Sequence, residues 1–139
     1  PYRPGTLKAV ALDKSGIALG ETTLQTAGQK TRLHLSPEKT TLRADGQSLC
    51  FIPITLTDAA GIWKPCANAK VHLEIEGPAA LQALGSAATQ TDETYLGSSH
   101  TTWLGRALAV IRAGTEPGKV RVTVTAEGYE PQYVDLTVE

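Results

Sequence analysis

The stretch RADGQSLCFIPITLTDAAG, residues 43–61, opens on one turn and closes on another, and between them apolar and polar side chains alternate almost residue by residue. Strand side chains point to opposite faces with period two, so Cys50, Ile52, Ile54 and Leu56 share one face while Phe51, Pro53, Thr55 and Thr57 share the other. The first set is expected to face a core. Asp45-Gly46 reads as the bend that launches this strand: aspartate can bond its own backbone two residues on, and glycine takes positive φ without penalty.

Outward from this strand the pattern repeats. VHLEIEG places Val71, Leu73 and Ile75 inward and His72, Glu74 and Glu76 outward, and ends at Gly77-Pro78. GRALAVIRAG, KVRVTVTAEG and QYVDLTV supply three more strands, with Val120, Val122 and Val124 on one face of the second. The 13 Gly and 8 Pro punctuate short runs rich in Val, Thr, Ile and Leu, with no long segment of period 3.6. Such spacing predicts an all-β protein, an immunoglobulin-like antiparallel β-sandwich of about seven strands over residues 31–139. Residues 1–30 are surplus to it. TLKAVAL, DKSG and IALGETTLQTA read as a hairpin with Ser15-Gly16 at the tip, the terminal hairpin of a preceding β-domain or a linker. The polar stretch from Ala87 to Thr102 lacks alternation and is expected to be a long loop or irregular edge, not a strand.

At 139 residues the chain can bury a core without metal or disulfide staples. With 13 basic and 14 acidic side chains it lacks the basic footprint of a nucleic-acid partner or a polybasic membrane contact. Its apolar runs are too short to span a membrane as a helix, and its abrupt start at Pro1 suggests a piece of something longer.

No constellation points to catalysis. Glu74 and Glu76, two apart on a strand, would sit about 6–7 Å from each other, but carboxylates on one outer face cannot grip a glycosidic bond from opposite sides. Asp92 and Glu93 would point apart. His34, His72 and His100 have no metal-ligand spacing and are expected at the surface or rim, and Asp45 and Asp58, about 40 Å apart along an extended strand, cannot share a cation. No cofactor is expected. Cys50 and Cys66 are expected as free thiols, because a strand separates them by far more than the roughly 7 Å limit between bridged Cα atoms. The aromatic candidates are Trp63, Trp103, Tyr95, Tyr129 and Tyr133; of these Trp63 and Trp103 are the residues on which a sugar platform would rest, set against a lid on the sandwich end or a contact with a neighbouring domain.

The succession TLRADGQSLCFIPITLTDAAG, VHLEIEGPAALQALGSA, GRALAVIRAG and PGKVRVTVTAEG resembles the immunoglobulin-like domain near the C-terminus of many bacterial glycoside hydrolase family 2 enzymes of the β-galactosidase type, over about residues 31–139. YRPGTLKAV and LQTAG resemble the closing hairpin of the domain before it. The resemblance implies a parent glycosidase whose two catalytic glutamates lie in a barrel outside this chain. It implies an accessory role here, with the catalytic and neighbouring domains as partners and a periplasmic or extracellular address. It departs from that family where Gly85 is followed by Ser86, Ala87 and Ala88 instead of a Gly-Asn-Gly-Asp-like turn. Leu42, Asp45 and Gly46 also match an element of bacterial adhesin repeats, so an adhesin repeat stands as an alternative, as does a carbohydrate-binding module resting on Trp63 and Trp103. A hairpin cut from its sheet would leave an apolar edge open to self-association.

Overall fold

A computed structural model describes Pro1 and residues 3–139. Among these residues there is no helix. The strands are β1 (Thr6–Leu12), β2 (Ala18–Gln25), β3 (Arg32–Leu35), β4 (Thr41–Leu42), β5 (Leu49–Thr57), β6 (Lys70–Glu76), β7 (Ala79–Gly85), β8 (Ser99–Thr101), β9 (Arg106–Ala113), β10 (Gly118–Ala126) and β11 (Gln132–Val138). One sheet of the sandwich has the order β4-β11-β10-β6-β8 and the other β3-β5-β9-β7. All pairs are antiparallel except the two-residue contact of β4 with β11.

The core is the set of inward positions read from the alternation. Cys50, Ile52, Ile54 and Leu56 of β5 are fully buried against Ala109 and Ile111 of β9, and across the sandwich they face Val71, Val122 and Val124. Each such Val, Leu or Ile contributes about 1.5–3 kcal/mol by leaving water. Burial raises the Cys50 thiol above its ordinary range, whereas Cys66 is exposed in a loop.

Both ends of β5 are made by the same device. Asp45 Oδ1 accepts from the backbone N–H of Gln47 (2.8 Å) and Ser48 (2.6 Å), and Gly46 sits at φ +68°. Asp58 Oδ1 accepts from Ala60 and Ile62, both at 2.8 Å.

The segment from Ala87 to Thr102 departs from the sequence expectation. Ser99–Thr101 is a strand, β8, paired to β6 at the edge of the five-stranded sheet. Before it the chain straps the open side of the sandwich, because the carbonyl of Tyr95 accepts from Leu84 of one sheet and that of Ser98 from Leu73 of the other. Glu93 fastens the strap by accepting from the Thr101 N–H (2.8 Å) and hydroxyl (3.1 Å). His100 is likewise not a surface residue: it is fully buried opposite Val71, under a stacked Tyr95 ring. A three-residue strand held by a side chain and a strap has no periodicity to read.

β1 and β2 form a two-stranded sheet of their own. Asp13 caps the tip by accepting from Ser15 and Ile17, and Gly16 takes positive φ, as expected for this hairpin. Every residue of both strands is exposed, including the directly opposed Leu7 and Leu24. The connection to the sandwich is clamped: Asp58 Oδ2 accepts from the Gly28 N–H (2.7 Å), and Lys64 Nζ donates to the carbonyls of Gly28 and Gln29 (2.9 Å each).

Candidate functional site

The passage from β8 in one sheet to β9 in the other is made by the turn Trp103-Leu104-Gly105-Arg106. Trp103 and Arg106 exchange both backbone hydrogen bonds around it. Two consecutive residues therefore take positive φ, Leu104 at 48° and Gly105 at 69°. Glycine is required at 105, since a Cβ there would lie 2.5 Å from the carbonyl oxygen of Lys64. Leucine at 104 is a different matter, because the left-handed region costs an L-residue with a branched side chain roughly 1–2 kcal/mol. It is the one non-glycine residue at positive φ among those described, and its side chain is half exposed.

This turn gathers its neighbours. The Trp63 indole N–H donates to the Leu104 carbonyl (2.9 Å), and the Arg106 guanidinium lies 3.8 Å above the Trp63 ring. Trp63, Trp103 and Leu104 are 37%, 43% and 50% exposed, so three large apolar side chains are held at one corner of the sandwich. Arg106 also borders an apolar groove of about 500 Å³ on the outer face of the four-stranded sheet, lined by Ala83, Gly85, Tyr95, Leu108 and Val110 among others. Gly85 is where the strap closes on that groove: the Tyr95 ring lies so near that a Cβ would meet it at 2.3 Å.

The two tryptophans singled out from the sequence thus share one corner, but not as an open pair of platforms. One face of Trp63 is taken by Arg106, and its N–H is already used. Tyr133 lies apart on β11 under Arg121, Tyr129 packs against the core, and Tyr95 stacks on His100. Glu74 and Glu76 are exposed on β6 opposite Thr123 and Arg121. Among the described residues no three His, Cys, Asp or Glu side chains are placed to hold a metal ion. Arg106 and Lys64 carry no signal of this role in the sequence, and Asp58, a cation ligand by residue type, is instead an acceptor for the Gly28, Ala60 and Ile62 N–H groups. Leucine before glycine, where a two-residue hairpin favours Asn-Gly or Asp-Gly, was the available signal for Leu104.

Three carboxylates are held on the ionised side, Asp58 and Glu93 at this end of the sandwich and Asp45 at the opposite end of β5. Asp58 titrates below the ordinary aspartate range because the N–H groups of Gly28 and Ile62, with Ala60, point at it. Glu93 is lowered by the Thr101 N–H and hydroxyl, and Asp45 by the N–H groups of Gln47 and Ser48. For each of these groups the folded pKa lies below the unfolded one, so its stabilisation is complete above the unfolded value and is lost as pH falls through the folded value. Thermal stability should therefore hold down to about pH 4.5 and fall below about pH 4. Asp58→Asn keeps an oxygen for Ala60 and Ile62 but turns an N–H donor toward Gly28. It should lower the melting temperature, flatten the acid limb and speed amide exchange at Gly28; unchanged exchange there would show that the clamp does not hold the connection.

Against this geometry, residues 33–135 match the family model described as glycoside hydrolase family 2 C-terminal domain 5. The chain belongs to that family. The domain is 28% identical over 138 residues to the β-galactosidase BoGH2A of Bacteroides ovatus, covering 99% of this chain and 16% of the relative. A solved glycosyl hydrolase family 2 member from Bacteroides cellulosilyticus is 34% identical and superposes with a TM-score of 0.94 over 100% of this chain, hairpin included, and 18% of its own. The domain thus spans less than a fifth of the length of these relatives. The D00-D0 domain of intimin, 23% identical with a TM-score of 0.58 over 97% of this chain and 65% of its own, shares the fold alone.

Proposed function

We propose that this chain is the non-catalytic C-terminal accessory domain of a β-galactosidase-type glycosidase, and that it buttresses the catalytic domain or a subunit interface while glycosidic bonds are hydrolysed elsewhere in the parent. The observation that carries this reading is that a family 2 C-terminal domain model covers residues 33–135 while this chain covers only 16% and 18% of two of its relatives. Among the described residues, Glu74 and Glu76 are exposed on β6 opposite Thr123 and Arg121, and carboxylates two apart on one strand share a face and do not flank a substrate from two sides. The coding sequence upstream tests it: a family 2 catalytic barrel is expected there. The chain alone should not turn over aryl-galactosides above a buffer blank, and turnover lost on mutating Glu74 or Glu76 would overturn the assignment.

Carbohydrate binding through Trp63 and Trp103 is the competing reading. It requires retention on an immobilised polysaccharide that Trp63→Ala or Trp103→Ala abolishes, whereas the buttress predicts no retention. The boundary near residue 30 and self-association through the hairpin are part of the same proposal. Removing residues 1–30 should leave a cooperatively melting sandwich and reduce any dimer seen in sedimentation, because β1 and β2 pair only with each other. A truncated chain that melts without cooperativity would make the hairpin integral to one larger domain.

A further inference from the structure

We infer that the Trp63–Trp103–Leu104 corner is the surface by which this domain seats on the part of the same polypeptide that precedes it, with Leu104 as the central contact. The inference rests on the accessory-domain reading. Backbone strain that a domain does not need for its own packing marks a functional contact, and Leu104 combines a left-handed φ with a half-exposed side chain. Asparagine, aspartate or glycine would make the turn more cheaply, yet would present no apolar group. The corner has the composition of an interface centre, two tryptophans and an arginine around an aliphatic residue. Arg106 and the Leu104 carbonyl hold Trp63 in place before any partner arrives.

The occupant follows from where the chain enters the sandwich. Gly28 and Gln29 are bonded to Lys64, which follows Trp63 directly, and Lys64 in turn packs its carbonyl against Gly105 of the strained turn. The connection from the hairpin therefore arrives beside the exposed corner. The matching family is a C-terminal domain, so the bulk of the relatives' length lies on the N-terminal side of that connection. The hairpin also keeps its placement relative to the sandwich in the Bacteroides cellulosilyticus enzyme, where all of this chain superposes within one longer polypeptide. A preceding domain tethered at this point faces the corner at high effective concentration.

Leu104→Gly and Leu104→Asp separate the two roles of the residue. In the 139-residue chain both should leave the melting temperature unchanged or raise it, by about 3 °C for glycine. In the full-length parent both should loosen the domain, so that limited proteolysis cuts the connection around residues 26–31 at least five times faster than in the wild type. Wild-type cleavage rates in both full-length variants would overturn the inference, and so would a lowered melting temperature of the Leu104→Gly chain alone, which would make Leu104 a packing residue of the sandwich itself. An upstream sequence without a glycosidase barrel would instead remove the accessory-domain reading, so the two failures are told apart.

Discussion

Gly77→Ala is expected to lower the melting temperature of this domain by about 10 °C, the cost of roughly 3 kcal/mol in a domain of this size. Gly77 ends β6 where the chain crosses from one sheet to the other, at φ +100°. A Cβ built there would lie 2.2 Å from the backbone carbonyl oxygen of Lys119 on β10, the strand to which β6 is paired. Two costs therefore add. Positive φ is unfavourable for alanine, and the obstructing atom is backbone in a paired strand, unable to swing aside like a side-chain tip. Pro78 makes relief harder, because its carbonyl accepts from Gly114 and its ring packs on Gly118. Thermal unfolding against Gly20→Ala, where nothing lies within 4 Å on an exposed hairpin strand, is the controlled comparison. A fall of less than about 3 °C for Gly77→Ala would show that the crossing has room to relax.

His100→Ala should be about as damaging and His100→Met should not. The imidazole is fully buried at the edge of the core, and its deletion leaves a void of the kind that costs about 2–4 kcal/mol when the walls cannot collapse. Its removal also takes away the ring on which Tyr95 stacks (centroids 5.4 Å apart), and with it a support of the strap that closes the sandwich. Polar bonding contributes little to offset this. Nδ1 reaches only the neighbouring Thr101 carbonyl (2.9 Å) and the Glu93 carboxylate at 3.5 Å, and Nε2 is buried with no partner. A buried group without a partner carries its desolvation cost, so an apolar side chain of similar size gives up the Nδ1 contact and is relieved of that penalty. Melting temperatures within about 4 °C of wild type for Met and about 10 °C lower for Ala are the expected pair. If His100→Met falls as far as His100→Ala, the polar contacts of the ring hold the strap, and its volume does not.

Where alternation was present, the strands and their inward faces were legible from the amino-acid sequence. Cys50 to Leu56, Val71 to Leu73 and Val120 to Val124 each placed their apolar set inward because a slip of one residue would turn every one of them to water. The turns at Asp45-Gly46 and Ser15-Gly16 were legible for an equally local reason, since a carboxylate and a glycine a residue or a few apart suffice to make them. Residues 87–102 were not legible. The strap and β8 are held by Glu93 bonding Thr101, by Tyr95 stacking on His100 and by carbonyls accepting from two different sheets, contacts that recur at no fixed spacing and so leave no period behind.

The candidate site divides the same way. Trp63 and Trp103 stand out as large aromatics in turn-rich surroundings, but their meeting at one corner depends on Arg106 and on the Leu104 carbonyl, and so on the chain crossing from one sheet to the other there. Composition and period determined that this chain is a β-sandwich with a hairpin before it. Only the tertiary structure decided which end carries the exposed aromatics and that the connection is clamped beside them. Periodicity records which way a side chain faces its own strand's neighbours, while the placement of loops is set by long-range contacts among Asp58, Lys64, Gly28 and Gly105 that no local pattern encodes.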